Sequence, residues 1–230
     1  LPNGTSPKKE KAVEIKYKNK LFDSNSSPIS DNRVREELTL IELWERTLNC
    51  KDCQLANCRT KTVLARGETE NPLVFVIGEA PGKTEDREGV AMVGKSGELL
   101  DKMLDAIAIA DKCYITNVVR CHPPNNRTPE AEEIQACFHY LETEIRILKP
   151  KVILCLGATA AQTLLKSKVK FANLRNKRFN YYEYPVFCTY HPAYLLRNPS
   201  LSPDSPKWQA WSDLCQLKLY LQKLETDEHY

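Results

Sequence analysis

Apolar and polar positions fall along the chain in blocks that read in turn as strands and helices. Pro72-Leu-Val-Phe-Val-Ile-Gly78 is a short continuous apolar run closed by glycine, the pattern of a strand buried on both faces. Cys113–Val119, Lys151–Leu156 and Tyr184–Thr189 give three more such strands. Between them apolar residues recur at helical spacing, first from Gly97 through Leu100, Met103, Leu104 and Ile107. A second helix is predicted from Thr128 to about Leu148, with Pro129 in its first turn and acidic residues at its positive dipole end. A short helix follows Gly157, a helix over Val34–Leu48 precedes the first strand, and an amphipathic one over Pro206–Leu224 comes last. Strands alternating with helices predict α/β: a single three-layer α/β/α domain over 34–227 with a mainly parallel, four-stranded central sheet. Residues 1–33, rich in Lys, Ser, Asn and Pro and without periodicity, predict a disordered basic leader.

Composition narrows the picture. The chain has 230 residues, 42% of them hydrophobic and 27% charged, enough for a core that needs no disulfides. No run approaches the roughly 18 apolar residues of a membrane-spanning helix, and the first residues lack the apolar centre of a signal peptide. The chain is therefore expected inside the cell, in the cytoplasm or on the nucleoid, with no membrane partner. Residues 1–20 carry six Lys and two Glu, whereas the rest holds 27 basic and 28 acidic residues. Any affinity of the body for nucleic acid must come from local patches.

Nine cysteines in such a chain point to metal more than to disulfides. Cys50 and Cys53, spaced C-x2-C, join Cys121 at a strand end and Cys137 in the next helix as four soft ligands from three elements. Thiolates of this number suit Zn²⁺ or an iron–sulfur cluster, and spacing does not separate the two. Cys113, Cys155, Cys188 and Cys215 fall in apolar patterns and read as packing residues.

In a parallel α/β sheet, ligands sit beyond the carboxyl ends of the strands. Three distinctive loops lie there: Gly78–Asp86, Asn117–Arg127 and Tyr190–Arg197. The first does not have the spacing of a phosphate loop. Asn117 ends an apolar run, where a buried amide is costly unless it binds something. His191 follows a strand and precedes Pro192, which holds it at the rim.

Gly-Glu-Ala-Pro-Gly at 78–82, Glu85-Asp86, Val93-Gly-Lys-Ser-Gly97, Thr116-Asn-Val-Val-Arg-Cys121, Pro123-Pro-Asn-Asn-Arg127 and His191-Pro-Ala-Tyr-Leu-Leu-Arg197 together resemble, in order, the motifs of iron–sulfur-containing family 4 of the uracil-DNA glycosylase superfamily. The matching stretch runs from about Cys50 to Arg197. The resemblance implies that uracil is flipped out of single- or double-stranded DNA and its N-glycosidic bond hydrolysed, leaving an abasic site for downstream repair enzymes. It also implies a [4Fe–4S] cluster on Cys50, Cys53, Cys121 and Cys137. Asn117 is then the residue that reads the base, in a pocket shared with Glu79, Ala80 and Met92. His191 donates to uracil O2 as charge builds there. Glu85 and Asn126 orient water and steady the cationic sugar, with Glu79 or Asp86 as competitors for that role. Leu195 is the expected wedge flanked by Tyr194 and Leu196, and Arg197, Lys95 and Ser96 contact phosphates.

Two departures bear on activity. The family usually carries an aromatic residue before Val-Gly, where this chain has Met92. The chain also lacks a long basic insertion between Arg120 and Pro129, so irreversible cross-linking is not expected. The loops offer no obvious amine nucleophile for a Schiff base, so the enzyme is expected to be monofunctional; a monomer is also expected. The competing expectations are a non-catalytic sensor of uracil-containing or abasic DNA, a glycosylase for another deaminated base, and a zinc-stapled nucleotide-binding domain.

Overall fold

The computed structural model describes residues 38–175 and 177–227. The basic leader and the first residues of the predicted Val34–Leu48 helix lie outside this range.

Four parallel strands form where the apolar runs predict them: β2 (Val74–Gly78), β3 (Cys113–Asn117), β4 (Val152–Leu156) and β6 (Tyr184–Thr189). The sheet has six strands rather than four, in the order β1 (Arg66–Gly67), β3, β2, β4, β6, β5 (Phe179–Tyr181). The additions are antiparallel edges, β1 on β3 and β5 on β6. Strands of two and three residues carry no apolar run, so periodicity does not reveal them.

Among the described residues the helices are α1 (Leu40–Leu48), α2 (Lys83–Glu88), α3 (Lys95–Asp105), α4 (Ala131–Leu148), α5 (Gly157–Leu164), α6 (Phe171–Leu174), α7 (Pro192–Arg197) and α8 (Pro206–Asp227). Thr39 caps α1 through a capping box with Glu42. The cap of α4 is Glu130, paired with Glu133, two residues after the predicted start at Thr128.

The sheet buries both faces, as alternation along each strand requires. Phe75, Ile77, Tyr114 and Ile153 pack with Leu141 and Ile145 of α4 on one side. Val74, Val76, Ile115 and Leu154 pack with Leu100 and Leu104 of α3 and Leu214, Leu217 and Leu221 of α8 on the other. The result is the expected three layers. Unlike a simply amphipathic helix, α8 also shows Trp208, Trp211 and Leu219 to solvent.

Candidate active site

The site begins at three strand ends. Gly78 and Asn117 are partners in the last step of the β2–β3 register, and His191 stands two residues beyond Thr189, the end of β6. Asn117 is 1% exposed, and its Oδ1 has no hydrogen-bond partner. Nε2 of His191 is likewise buried and unpartnered. A Cβ on Gly78 would lie 2.3 Å from Asn117 Oδ1 and 3.6 Å from His191 Nε2. The missing side chain therefore opens the space that both atoms face. An orphaned buried polar atom costs about 1–3 kcal/mol, so two aimed at one space mark a place for a polar ligand.

His191 is preset as a neutral donor. It occupies the N-cap of α7, and its Nδ1 accepts from Ala193 N–H at 3.1 Å. That bond leaves the ring proton on Nε2. Burial, aided by the charge of Arg197 and opposed by that of Glu85, lowers its pKa to about 4. The imidazole is thus uncharged at neutral pH.

Two of the three carboxylates of α2, Glu85 and Asp86, are committed to loops. Glu85 Oε1 accepts from Val93 N–H at 3.0 Å and Gly94 N–H at 2.7 Å, while Oε2 accepts from Gly82 N–H at 3.1 Å. Asp86 faces away, with both oxygens on Thr60 N–H. It is not a competitor for a water in the pocket. Glu79 accepts from Thr159 Oγ1 at 2.5 Å, which ties the first loop to α5. Asn126 is exposed at a left-handed φ of 54°, and its Oδ1 pairs with His122 Nε2 at 3.0 Å. It still reaches the first loop, since a Cβ on Gly82 would lie 3.9 Å from that oxygen.

Comparison with known proteins gives this arrangement its relatives. The family model of the Uracil DNA glycosylase superfamily matches residues 65–215. The Type-4 uracil-DNA glycosylase of Sulfurisphaera tokodaii is 41% identical over 173 residues, 71% of this chain and 78% of that protein. The Type-4 enzyme of Thermotoga maritima is 43% identical over 170 residues, covering 73% and 88%. This chain belongs to the type-4 uracil-DNA glycosylase family. A Type-5 uracil-DNA glycosylase of Pyrobaculum aerophilum is more distant, 30% identical over 146 residues and 64% of its length.

Among the residues that the type-4 resemblance singles out, Met92 is buried at φ 54° in the apolar cluster with Val76, Leu100 and Ile115. Its carbonyl accepts from Arg66 Nη2 at 3.0 Å and leaves no room for a side chain on Gly97, whose Cβ would come within 1.7 Å of it. Ala80 is half-buried against the opposite cluster. Lys95 and Ser96 occupy the first turn of α3, at its positive dipole end.

The expected wedge, Leu195, is turned inward and only 2% exposed. Residues 192–197 form a helix, and helical spacing sends Leu195 into the core while Tyr194, Leu196 and Arg197 face solvent. The wedge assignment to Leu195 is corrected accordingly.

Cys50, Cys53, Cys121 and Cys137, the four cysteines that the resemblance singles out, line one cavity together with Arg59, Arg120 and Tyr140. Arg59 bridges it, donating to Cys121 Sγ at 3.0 Å and to the Cys50 carbonyl at 2.7 Å. A buried Arg120–Glu144 ion pair at 2.6 Å fixes the Cys121 loop to the helix that carries Cys137. Burial raises the pKa of Cys53, Cys121 and Cys137, the last to about 12. Among the described residues, no three His, Cys, Asp or Glu converge tightly enough to hold a single metal ion. Also among the described residues, no helix is long and apolar enough to cross a membrane.

Proposed function

We propose that the chain is a monofunctional DNA-repair glycosylase that hydrolyses the N-glycosidic bond of uracil taken out of single- or double-stranded DNA. The observation that carries this reading is the pair of orphaned atoms, Asn117 Oδ1 and His191 Nε2, over Gly78. The Type-4 uracil-DNA glycosylase relatives support it.

The amide of Asn117 accepts from uracil N3–H and donates to O4. Cytosine presents the opposite pattern at both atoms, and a site built this way discriminates by ~10⁴–10⁵. As the C1′–N1 bond breaks, its electron pair moves onto the base and reaches O2, where the neutral His191 donates from Nε2. A preorganised donor of this kind contributes about 3–4 kcal/mol. Water oxygen bonds to C1′, and the proton it releases ends on the departing uracil. Glu85 acts as the brace of the Gly82 and Val93–Gly94 loops, keeping a negative charge beside the cationic sugar. Asn126 is the amide available to orient the water. Met92 supplies an apolar surface to the base where an aromatic plane would stack.

Leu196 takes over the wedge role, with Arg197, Lys95 and Ser96 on phosphates. Cys50, Cys53, Cys121 and Cys137 would hold a [4Fe–4S] cluster. Four soft donors around one cavity suit it, and it would cross-link three elements without entering the reaction. The reading extends to a monomer acting inside the cell, whose abasic product passes to downstream repair enzymes.

Met92 also favours a second reading, a sensor of uracil-containing DNA or a glycosylase for another deaminated base. The test is release of free base from single-stranded oligonucleotides containing one uracil, or only cytosine, by iron-loaded protein. Uracil release is expected from the wild type, with a gain toward cytosine in Asn117→Asp. DNA binding without uracil release would move the assignment to the second reading. A folded Asn117→Asp variant with no cytosine activity would remove Asn117 as the base reader.

A further inference from the structure

We infer that Tyr194 is the outer surface of a stacking platform that takes an unpaired nucleobase next to the flipped nucleotide. The inference rests on the DNA-binding reading above and adds a site to it.

Tyr194 stands three residues beyond His191 on α7 and is 40% exposed. Its inner side is stacked on Tyr190, centroids 5.2 Å apart and planes 14° from parallel. Tyr190 is itself immobilised. The Arg175 guanidinium lies 4.4 Å from its ring centroid, and Phe171 meets it edge-on at 5.5 Å. The Tyr190 hydroxyl donates to Gln209 Oε1 at 3.0 Å and accepts from Arg175 Nη1 at 3.3 Å. Arg175 is in turn fixed by two 2.9 Å bonds to the buried Asp213.

An exposed aromatic ring gains little from its outer face in water. Here the backing of two rings and a cation holds that face in one orientation beside the proposed pocket. A rigid aromatic plane is tolerant of base identity, because every base has a π-face. It needs a base with a free face of its own. In a duplex the neighbouring bases are already stacked, whereas in a single strand the nucleotide beside an extruded uracil is open. The platform therefore favours single-stranded substrate, while Leu196 on the same helix is left to fill the gap in a duplex.

The test uses the full chain and oligonucleotides with one uncleavable 2′-fluoro-deoxyuridine and 2-aminopurine on either side of it, single-stranded and duplex. Wild-type protein is expected to quench 2-aminopurine on one side in the single strand. Tyr194→Leu should lose that quenching and weaken single-strand binding roughly 5- to 150-fold, the range of one base–aromatic stack, with a smaller loss on duplex. Tyr194→Phe should restore both, and circular dichroism checks that each variant is folded. Unchanged quenching and affinity in a folded Tyr194→Leu variant would overturn the platform. A larger loss on duplex than on single strand would overturn it too, and make Tyr194 a wedge. Uracil release by wild type, assayed separately, keeps the two ideas apart: tight, Tyr194-dependent binding without release sinks the glycosylase reading and leaves the platform standing.

Discussion

Two polar clusters lie on either side of residue 190 and are built on opposite terms. On the strand side, Thr189 and Arg175 both bond to Asp213, and Arg175 also reaches Gln209. On the loop side, His191 Nε2 and Asn117 Oδ1 have no partner at all. Both clusters are buried, so both have given up water, yet only the first has replaced it. A matched cluster stiffens the end of β6 and sets where His191 stands. On the proposed reading a ligand completes the unmatched one, and the stability it forfeits is available to binding.

The largest effect expected on this contrast comes from the matched side. Arg175→Met strands Asp213 as an uncompensated buried acid and should cost about 3–5 kcal/mol in urea unfolding. Arg175→Met with Asp213→Leu should recover most of that loss, since a buried pair replaced by apolar residues is often neutral. A single variant within ~1 kcal/mol of wild type would mean the cluster is not scaffold.

Gly78→Ala acts on the unmatched side. Its Cβ would sit 2.3 Å from Asn117 Oδ1, so overpacking of about 1–3 kcal/mol is expected together with loss of uracil release. Near-wild-type release by this variant would show that the space above Gly78 is not where the base goes.

A third effect is in pH dependence. His191 titrates at about 4 when folded, below the ordinary value of 6.5, so the unfolded chain binds the extra proton first on acidification. Its contribution to stability is present above pH 6.5 and is lost as pH falls toward about 4. In His191→Gln, the melting temperature should decline less steeply across that window. Parallel declines in both proteins would mean that the ring is not held neutral by its surroundings.

The parts of this arrangement that were legible in the sequence are those that local pattern controls. Apolar runs ending in Gly78 and Asn117 marked central strands and their loops, because a doubly buried strand admits little else. Asn117 stood out as an amide at the end of such a run. Other features depend on partners far along the chain. Arg175 meets Asp213 across 38 residues and Arg120 meets Glu144 across 24, with no periodic signal. Glu85 reads as a free acid until the loop at Val93–Gly94 folds back onto it. Leu195 reads as an exposed wedge unless the six-residue helix that turns it inward is seen.

The most direct test of the central claim compares His191→Ala with wild type in two assays run side by side. One follows single-turnover uracil release, the other binding to DNA carrying an uncleavable uracil nucleotide. If Nε2 is a donor reserved for the charge that develops on O2, the rate should fall about 10²–10³-fold while affinity changes far less. An equal loss in affinity and rate would make His191 a ground-state binding residue, and an unchanged rate would contradict the account outright.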